Sequence, residues 1–289
     1  MDNNLMFKRL LKKKEKTFGL ALGSGGAKGL SHIAFIKALA EMGIRPSVIA
    51  GTSIGAVIGA FTAAGMTGVQ MEEILHNLGF TDIPKLVDWS PFRKTSMLKG
   101  KGVEDFLLKN LPVRKFDELA IPLKIVTTDF WNRREVVLDS GDLVPAIRAS
   151  LSLPVIFDPV KLDGQVLMDG GMVNPLPYDI IRDECDIVIA IDVSGEKSPP
   201  EHDPLPNMLE SLMSSFQIMQ ASIVNAKMDT ARPDISVKPA LNNIRMLEFH
   251  RYQEIMGGVK KDVRHMKQEI RKSLKERSFI AGVLNNARR

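Results

Sequence analysis

The stretch Ser47-Val-Ile-Ala-Gly51-Thr-Ser53-Ile-Gly55-Ala-Val-Ile-Gly-Ala60 decides the fold. An apolar run, Val48–Ala50, meets a Gly-x-Ser-x-Gly pentapeptide, and a helical pattern over Ile54–Ala64 follows at once. Continuous apolar runs are how strands buried on both faces of a parallel sheet read, and a strand feeding directly into a helix is half of a βαβ unit. Small residues two places either side of Ser53 suit a sharp turn, because a Cβ there would collide with the backbone. Ser53 is therefore a candidate nucleophile on a strand-to-helix elbow, with Gly51 and Gly55 permitting the turn. The helix behind it aims its first N–H groups at the serine and favours negative charge there.

Outward from this elbow, strand patterns fall at Thr17–Leu22, Leu123–Thr128, Glu135–Leu138, Val166–Met168, Ile187–Val193 and Ile235–Val237. Helical patterns lie between them at Gly29–Met42, Met71–Leu78, Gly102–Asn110, Leu143–Ser150 and Leu176–Glu184. Their alternation predicts an α/β class: a mainly parallel sheet sandwiched between helices. After the Pro-rich loop Gly195–Pro206, a helical region starts near Asn207, and a basic amphipathic helix is expected over Glu248–Arg277. The expected organisation is a basic segment over 1–16, amphipathic or disordered, an α/β catalytic domain over 17–240 and a basic helical extension over 241–289.

Of the net charge of +5, the two ends hold more than their share. Residues 1–16 carry six Lys/Arg against two acids and residues 245–289 twelve against five, so the middle of the chain is acidic. Basic ends fit peripheral contact with an anionic membrane surface, and no recognition motif accompanies them that would point to nucleic acid. Basic residues interrupt the short apolar N-terminal stretch and no small-residue cleavage site follows, so it does not read as a signal peptide. The longest mostly apolar run, Ile54–Gly65, is too short to span a bilayer. The single cysteine, Cys185, permits neither an intrachain disulfide nor a multi-thiolate metal site. A cytoplasmic location is expected.

A serine nucleophile needs a base. The histidines at 32, 76, 202, 250 and 265 fall in helical patterns or in the Pro-rich loop, away from the strand ends where an α/β site collects its residues. One carboxylate is well placed: in Val166-Leu-Met-Asp169-Gly170-Gly171 an aspartate ends a strand and two glycines allow close approach. A free carboxylate is a weak base, so Asp169 would need desolvation to raise its basicity. Weak base catalysis puts weight on oxyanion stabilisation, and Gly23-Ser-Gly-Gly-Ala-Lys28-Gly29 after the first strand offers free backbone N–H groups for it. A dinucleotide fingerprint starting at Gly23 fails because position 28 is Lys28, and a phosphate loop fails because Lys28 precedes Gly29.

Three blocks in this order resemble the patatin-like phospholipase family. Leu22-Gly-Ser-Gly-Gly-Ala-Lys-Gly-Leu-Ser-His-Ile33 is similar to its oxyanion block, Gly51-Thr-Ser-Ile-Gly55 to its nucleophile block, and Asp169-Gly-Gly-Met-Val-Asn-Pro-Leu-Pro177 to its dyad-aspartate block. Ala149–Phe157 and Ile187–Val193 are also similar to family segments, and Ser24 stands where many members have a further glycine. The resemblance covers about residues 17–195. It implies Ser53 as nucleophile, Asp169 as general base, and the N–H groups of Gly25 and Gly26 as oxyanion donors. It further implies hydrolysis of lipid acyl esters without metal or cofactor. Two other readings predict different behaviour: a conventional Ser/His hydrolase or acyltransferase, which one His→Ala change would inactivate, and a catalytically idle membrane-binding module. The aromatic, basic stretch Phe80–Lys94 is a candidate lid or interfacial loop.

Overall fold

The computed structural model describes residues 16–77, 96–98, 100–195 and 205–286. The basic residues 1–15, the stretch Phe80–Lys94, and most of the Pro-rich loop with His202 lie outside the described residues.

In chain order the strands are β1 (Phe18–Leu22), β2 (Val48–Thr52), β3 (Ser96–Leu98), β4 (Leu123–Asp129), β5 (Arg134–Leu138), β6 (Val155–Phe157), β7 (Val160–Leu162), β8 (Gln165–Asp169), β9 (Ile187–Ile191) and β10 (Ile235–Val237). The α-helices are α1 (His32–Glu41), α2 (Ile54–Ala63), α3 (Gly68–Asn77), α4 (Lys101–Asn110), α5 (Leu143–Ser150), α6 (Met208–Thr230), α7 (Tyr252–Gly258) and α8 (Lys260–Asn286). Strands β10, β9, β1, β2 and β4 lie side by side, all parallel. Every residue of β1, β2 and β9 is buried, as their unbroken apolar runs require. The molecule is thus an α/β protein with a mainly parallel sheet between helical layers.

One face of the sheet, with Leu20, Leu22, Ile49, Ile125 and Ile189, packs against α1, α2, α5 and α8 in the main core. Leu241, Ile244, Ile255, Val259, Met266 and Ile270 are buried in this same core, so residues beyond 240 help to close it. The other face carries Ala21, Ala50 and Ala190 with Val48 and Val188, and meets Leu176, Tyr178, Ile181 and Val224. Among the described residues no helix is long and apolar enough to cross a membrane.

The arrangement around β4 positions the site. On one edge β4 pairs with β5 along Ile125–Asp129. On the opposite edge its first half pairs in parallel with β2, ending at Thr52 beside Val126. Its second half pairs in antiparallel fashion with β8, whose last residue Asp169 lies beside Thr127. β2 and β8 therefore run toward each other along one edge of β4, and the residues at their tips, Ser53 and Asp169, meet head to head.

Local chemistry explains where the pattern reading and the fold part. The helix expected over Leu176–Glu184 is only a 3-10 segment at Asp179–Glu184. Pro175 and Pro177 precede it, and proline removes donors and fixes φ. The helix expected over Glu248–Arg277 is a 3-10 turn, Phe249–Arg251, then α7 and α8, broken at Val259 just after Gly257 and Gly258. Strands β3, β6 and β7 have three residues each, too few to display a period.

Candidate active site

Ser53 sits at φ 56° and ψ −122°, a conformation costing a non-glycine residue about 1–3 kcal/mol. The fold enforces it by packing. A Cβ on Gly55 would lie 2.1 Å from the Leu22 carbonyl oxygen, and one on Gly51 would lie 2.5 Å from the Gly55 carbonyl oxygen. The Ser53 N–H donates to Ser150 Oγ at 2.8 Å, and that hydroxyl donates to the Val126 carbonyl at 2.7 Å.

Ser53 Oγ donates to Asp169 Oδ2 at 2.8 Å, while Asp169 Oδ1 accepts the Gly171 N–H at 2.7 Å. Main-chain bonds hold the aspartate from both sides: its N–H donates to the Ser152 carbonyl at 3.0 Å, and Thr128 Oγ1 donates to its carbonyl at 2.8 Å. Gly170 lets the turn pass close to β4, since a Cβ there would lie 2.3 Å from the Val126 carbonyl oxygen. Burial pushes the Asp169 carboxyl up to about 6, against the opposing bonds from Gly171 and Ser53. It is thus ionised at neutral pH yet a stronger base than a free carboxylate, the condition a proton acceptor for a serine must meet.

The glycine loop lies across the same opening. The N–H groups of Gly23, Ser24 and Ala27 donate to the carbonyls of Ile191 (3.0 Å), Pro175 (2.8 Å) and Met246 (2.8 Å). Those of Gly25 and Gly26 bond to nothing among the described residues, leaving two N–H donors in succession. Gly26 has φ 58°, and a Cβ on it would lie 2.4 Å from the Met246 carbonyl oxygen. Gly29 packs on Ile54 at the start of α2, and the buried Lys28 runs its aliphatic chain along Gly195. His32 is buried beneath the loop, and its Nε2–H donates to the Gly23 carbonyl at 2.9 Å. Burial lowers its pKa to about 4, partly offset by that bond, so it is a neutral brace for the loop. His76 pairs with the Tyr252 hydroxyl at 2.9 Å, and no described histidine bonds Ser53 or Asp169.

Ser53 and Asp169 open onto a cavity of about 190 Å³. Ile54, Val57, Ile58 and Phe61, spaced as one helical face of α2, line it inward from the serine, opposed by Met71 and Leu75 of α3 and Phe106 and Leu107 of α4. The rise of α2 puts Phe61 about 12 Å beyond Ser53. Phe61 and Phe106 meet edge to face with ring centroids 6.3 Å apart. At the mouth the wall is completed by Phe216 and Gln220 of α6 and by Met246, Leu247 and Phe249. The space is an apolar slot with its polar atoms at one end, suited to an acyl chain whose ester group stops at Ser53.

Ser53, Asp169 and the glycine loop thus gather at one sheet end, whereas His76 pairs with Tyr252, and Phe80–Lys94 and His202 lie outside the described residues. Several others there were not foreseen: Ser150 and Ser152 as braces, Thr128 behind Asp169, His32 beneath the loop, and Gln220. For Ser150 and Ser152 a signal existed, since Ala149–Phe157 already stood out as a segment. Gln220, in a helix known only by its pattern, carried none. Among the described residues no three His, Cys, Asp or Glu side chains cluster to hold a metal ion.

This geometry places the molecule among α/β proteins built around a serine elbow. The patatin-like phospholipase profile matches residues 20–181, more than half of the chain, and the chain belongs to that family. An uncharacterised NTE family protein of Mycobacterium tuberculosis is 36% identical over 193 residues, 65% of this chain and 52% of that protein. Patatin-like phospholipase domain-containing protein 6 of Homo sapiens is 36% identical over 189 residues, 62% of this chain and 14% of that protein. The chain thus spans about half the length of the first of these relatives and much less of the second. Among solved structures, VipD from Legionella pneumophila superposes with a TM-score of 0.49 at 15% identity, covering 88% of this chain and 67% of that one.

Proposed function

We propose that this chain hydrolyses lipid acyl esters through a Ser53/Asp169 dyad, releasing fatty acid by way of an acyl-enzyme. The observation that carries this reading is the 2.8 Å bond from Ser53 Oγ to a buried, basic carboxylate at the polar end of an apolar slot. The acyl chain lies along α2, with the ester carbonyl oxygen against the Gly25 and Gly26 N–H groups. Asp169 takes the hydroxyl proton as Ser53 Oγ bonds to the carbonyl carbon and the π pair moves onto oxygen. Collapse of the intermediate expels the alcohol oxygen, which leaves with the proton from Asp169. A water then gives its proton to Asp169 and attacks the acyl-enzyme. Collapse releases the fatty acid, and the proton returns to Ser53 Oγ.

Fatty-acid release from chromogenic acyl esters and mixed phospholipids by wild type, Ser53→Ala and Asp169→Asn tests the reading. Both variants should lose turnover by about the same factor, on the order of 10³-fold or more. An Asp169→Asn variant with half of the wild-type rate would sink the dyad.

The substrate is met at an anionic lipid surface. Phe130 and Trp131, 46% and 73% exposed, pack edge to face in the turn between β4 and β5, which projects from the sheet end that carries Ser53. Asp129 holds that turn rigid by accepting the Trp131 and Asn132 N–H groups, and Arg133 and Arg134 flank it. Aromatic rings beside basic groups suit a bilayer interface. Co-sedimentation with anionic liposomes should weaken in Phe130→Ala/Trp131→Ala; equal binding would remove the turn from this role.

A further inference from the structure

Helix α6 crosses the turn that follows Asp169, and Lys227 fixes its register there by donating to Asn174 Oδ1 at 2.6 Å, to the Leu176 carbonyl at 3.0 Å and to Asp179. Two helical turns earlier, on the same face, Gln220 enters the cavity wall and is 5% exposed. Its Nε2 donates to Ser24 Oγ at 3.2 Å. A Cβ on Gly171 would lie 2.0 Å from Gln220 Nε2, 3.0 Å from Asp169 Oδ1 and 3.2 Å from Ser24 Oγ. The missing side chain at Gly171 is what lets amide, carboxylate and hydroxyl converge.

A serine hydroxyl carries one proton and two lone pairs. Gln220 occupies a lone pair of Ser24, the Ser24 N–H is committed to the Pro175 carbonyl, and no described residue accepts the Ser24 hydroxyl proton. Ser24 lines the cavity and directly precedes Gly25. We propose that Ser24 is a side-chain donor to the oxyanion, beside the N–H groups of Gly25 and Gly26, and that Gln220 is the positioning residue that turns its hydroxyl into the cavity. This rests on the Ser53/Asp169 reading above. No proton is transferred: as the carbonyl π pair moves onto oxygen during Ser53 attack, the Ser24 hydrogen bond to that oxygen strengthens. A bond stronger in the transition state than in the bound ester raises kcat and leaves KM nearly unchanged.

The test measures kcat, KM and fluorophosphonate labelling for wild type, Ser24→Ala, Ser24→Gly, Gln220→Glu, Gln220→Met and the Ser24→Ala/Gln220→Met double variant, each checked for folding by circular dichroism. Ser24→Ala and Ser24→Gly should lower kcat roughly 10²-fold with little change in KM. Gln220→Glu should also lose activity, because a carboxylate draws the Ser24 proton toward itself. It also sets a second buried carboxylate near Asp169, so the double variant carries the distinction from a space-filling role. Gln220→Met should lose about tenfold alone and nothing further in the double variant. Wild-type kcat in folded Ser24→Ala and Ser24→Gly, full activity in Gln220→Glu, or losses that multiply in the double variant would overturn the proposal. Hydrolysis that survives Ser53→Ala would instead overturn the nucleophile assignment, and this proposal with it.

Discussion

The candidate reacting groups and the outer wall of the cavity come from different regions of the chain and are held by different means. Ser53, Asp169 and the glycine loop lie within the family-matched residues 20–181 and are set by main-chain contacts with no slack, such as Gly55 against the Leu22 carbonyl. Phe216, Gln220, Met246, Leu247 and Phe249 come from beyond that span and are held by packing and by single bonds, Gln220 to Ser24 Oγ and the Met246 carbonyl to the Ala27 N–H. The first region leaves little freedom to vary without losing the elbow. The second lines the mouth outside the elbow, so head-group preference should reside there, while the slot side chains of α2, α3 and α4 set chain length.

The largest expected contrast pits Gly55→Ala against Leu247→Ala. A Cβ at Gly55 meets backbone and should cost about 3 kcal/mol in urea denaturation, together with activity. Leu247, 46% exposed at the mouth, should unfold as wild type does when cut to alanine, with KM raised about fivefold and labelling unchanged. Wild-type stability in Gly55→Ala would erase the distinction between the regions.

Next comes the stability cost of Asp169. Its folded pKa of about 6 lies above the ordinary 3.8, so its contribution is fully present below the unfolded value and is lost as pH rises through 6. At neutral pH the ionised carboxylate costs on the order of 3 kcal/mol. Asp169→Asn should therefore be relatively more stable at pH 8 than at pH 4, a trend that paired denaturation curves would expose. Smaller effects are expected within the slot and at the elbow. Val57→Phe should shift preference to shorter acyl esters while labelling persists. Ser53→Gly should gain stability at pH 4 relative to pH 8, because glycine relieves the elbow strain at both but leaves the buried Asp169 carboxylate without its hydroxyl donor once it is ionised.

How much was legible in the sequence follows the same divide. Unbroken apolar strands with glycine punctuation carried the sheet, the elbow and Asp169, because burial on both faces and close backbone approach leave few residue choices. The head-to-head meeting of β2 and β8 on β4 was not legible, because pairing register between distant strands leaves no local mark. Gln220 was hidden for a similar reason: one polar residue in a helix cannot be told from a solvated one until Lys227 fixes the helix against the Asp169 turn. The break at Val259 was marked by Gly257 and Gly258, but the amphipathic pattern runs through them.

The most direct test of the dyad is the pH dependence of kcat/KM for ester hydrolysis, measured in wild type and in five variants, His32→Gln and alanine at His76, His202, His250 and His265. With Asp169 as the base, activity rises through a single limb near pH 6, and that limb persists in all five. A lower rate with the limb intact in His32→Gln reports only the lost brace under Gly23. Loss of the limb in any folded variant, or loss of activity in a folded variant at His76, His202, His250 or His265, would contradict the account and assign the base to that residue.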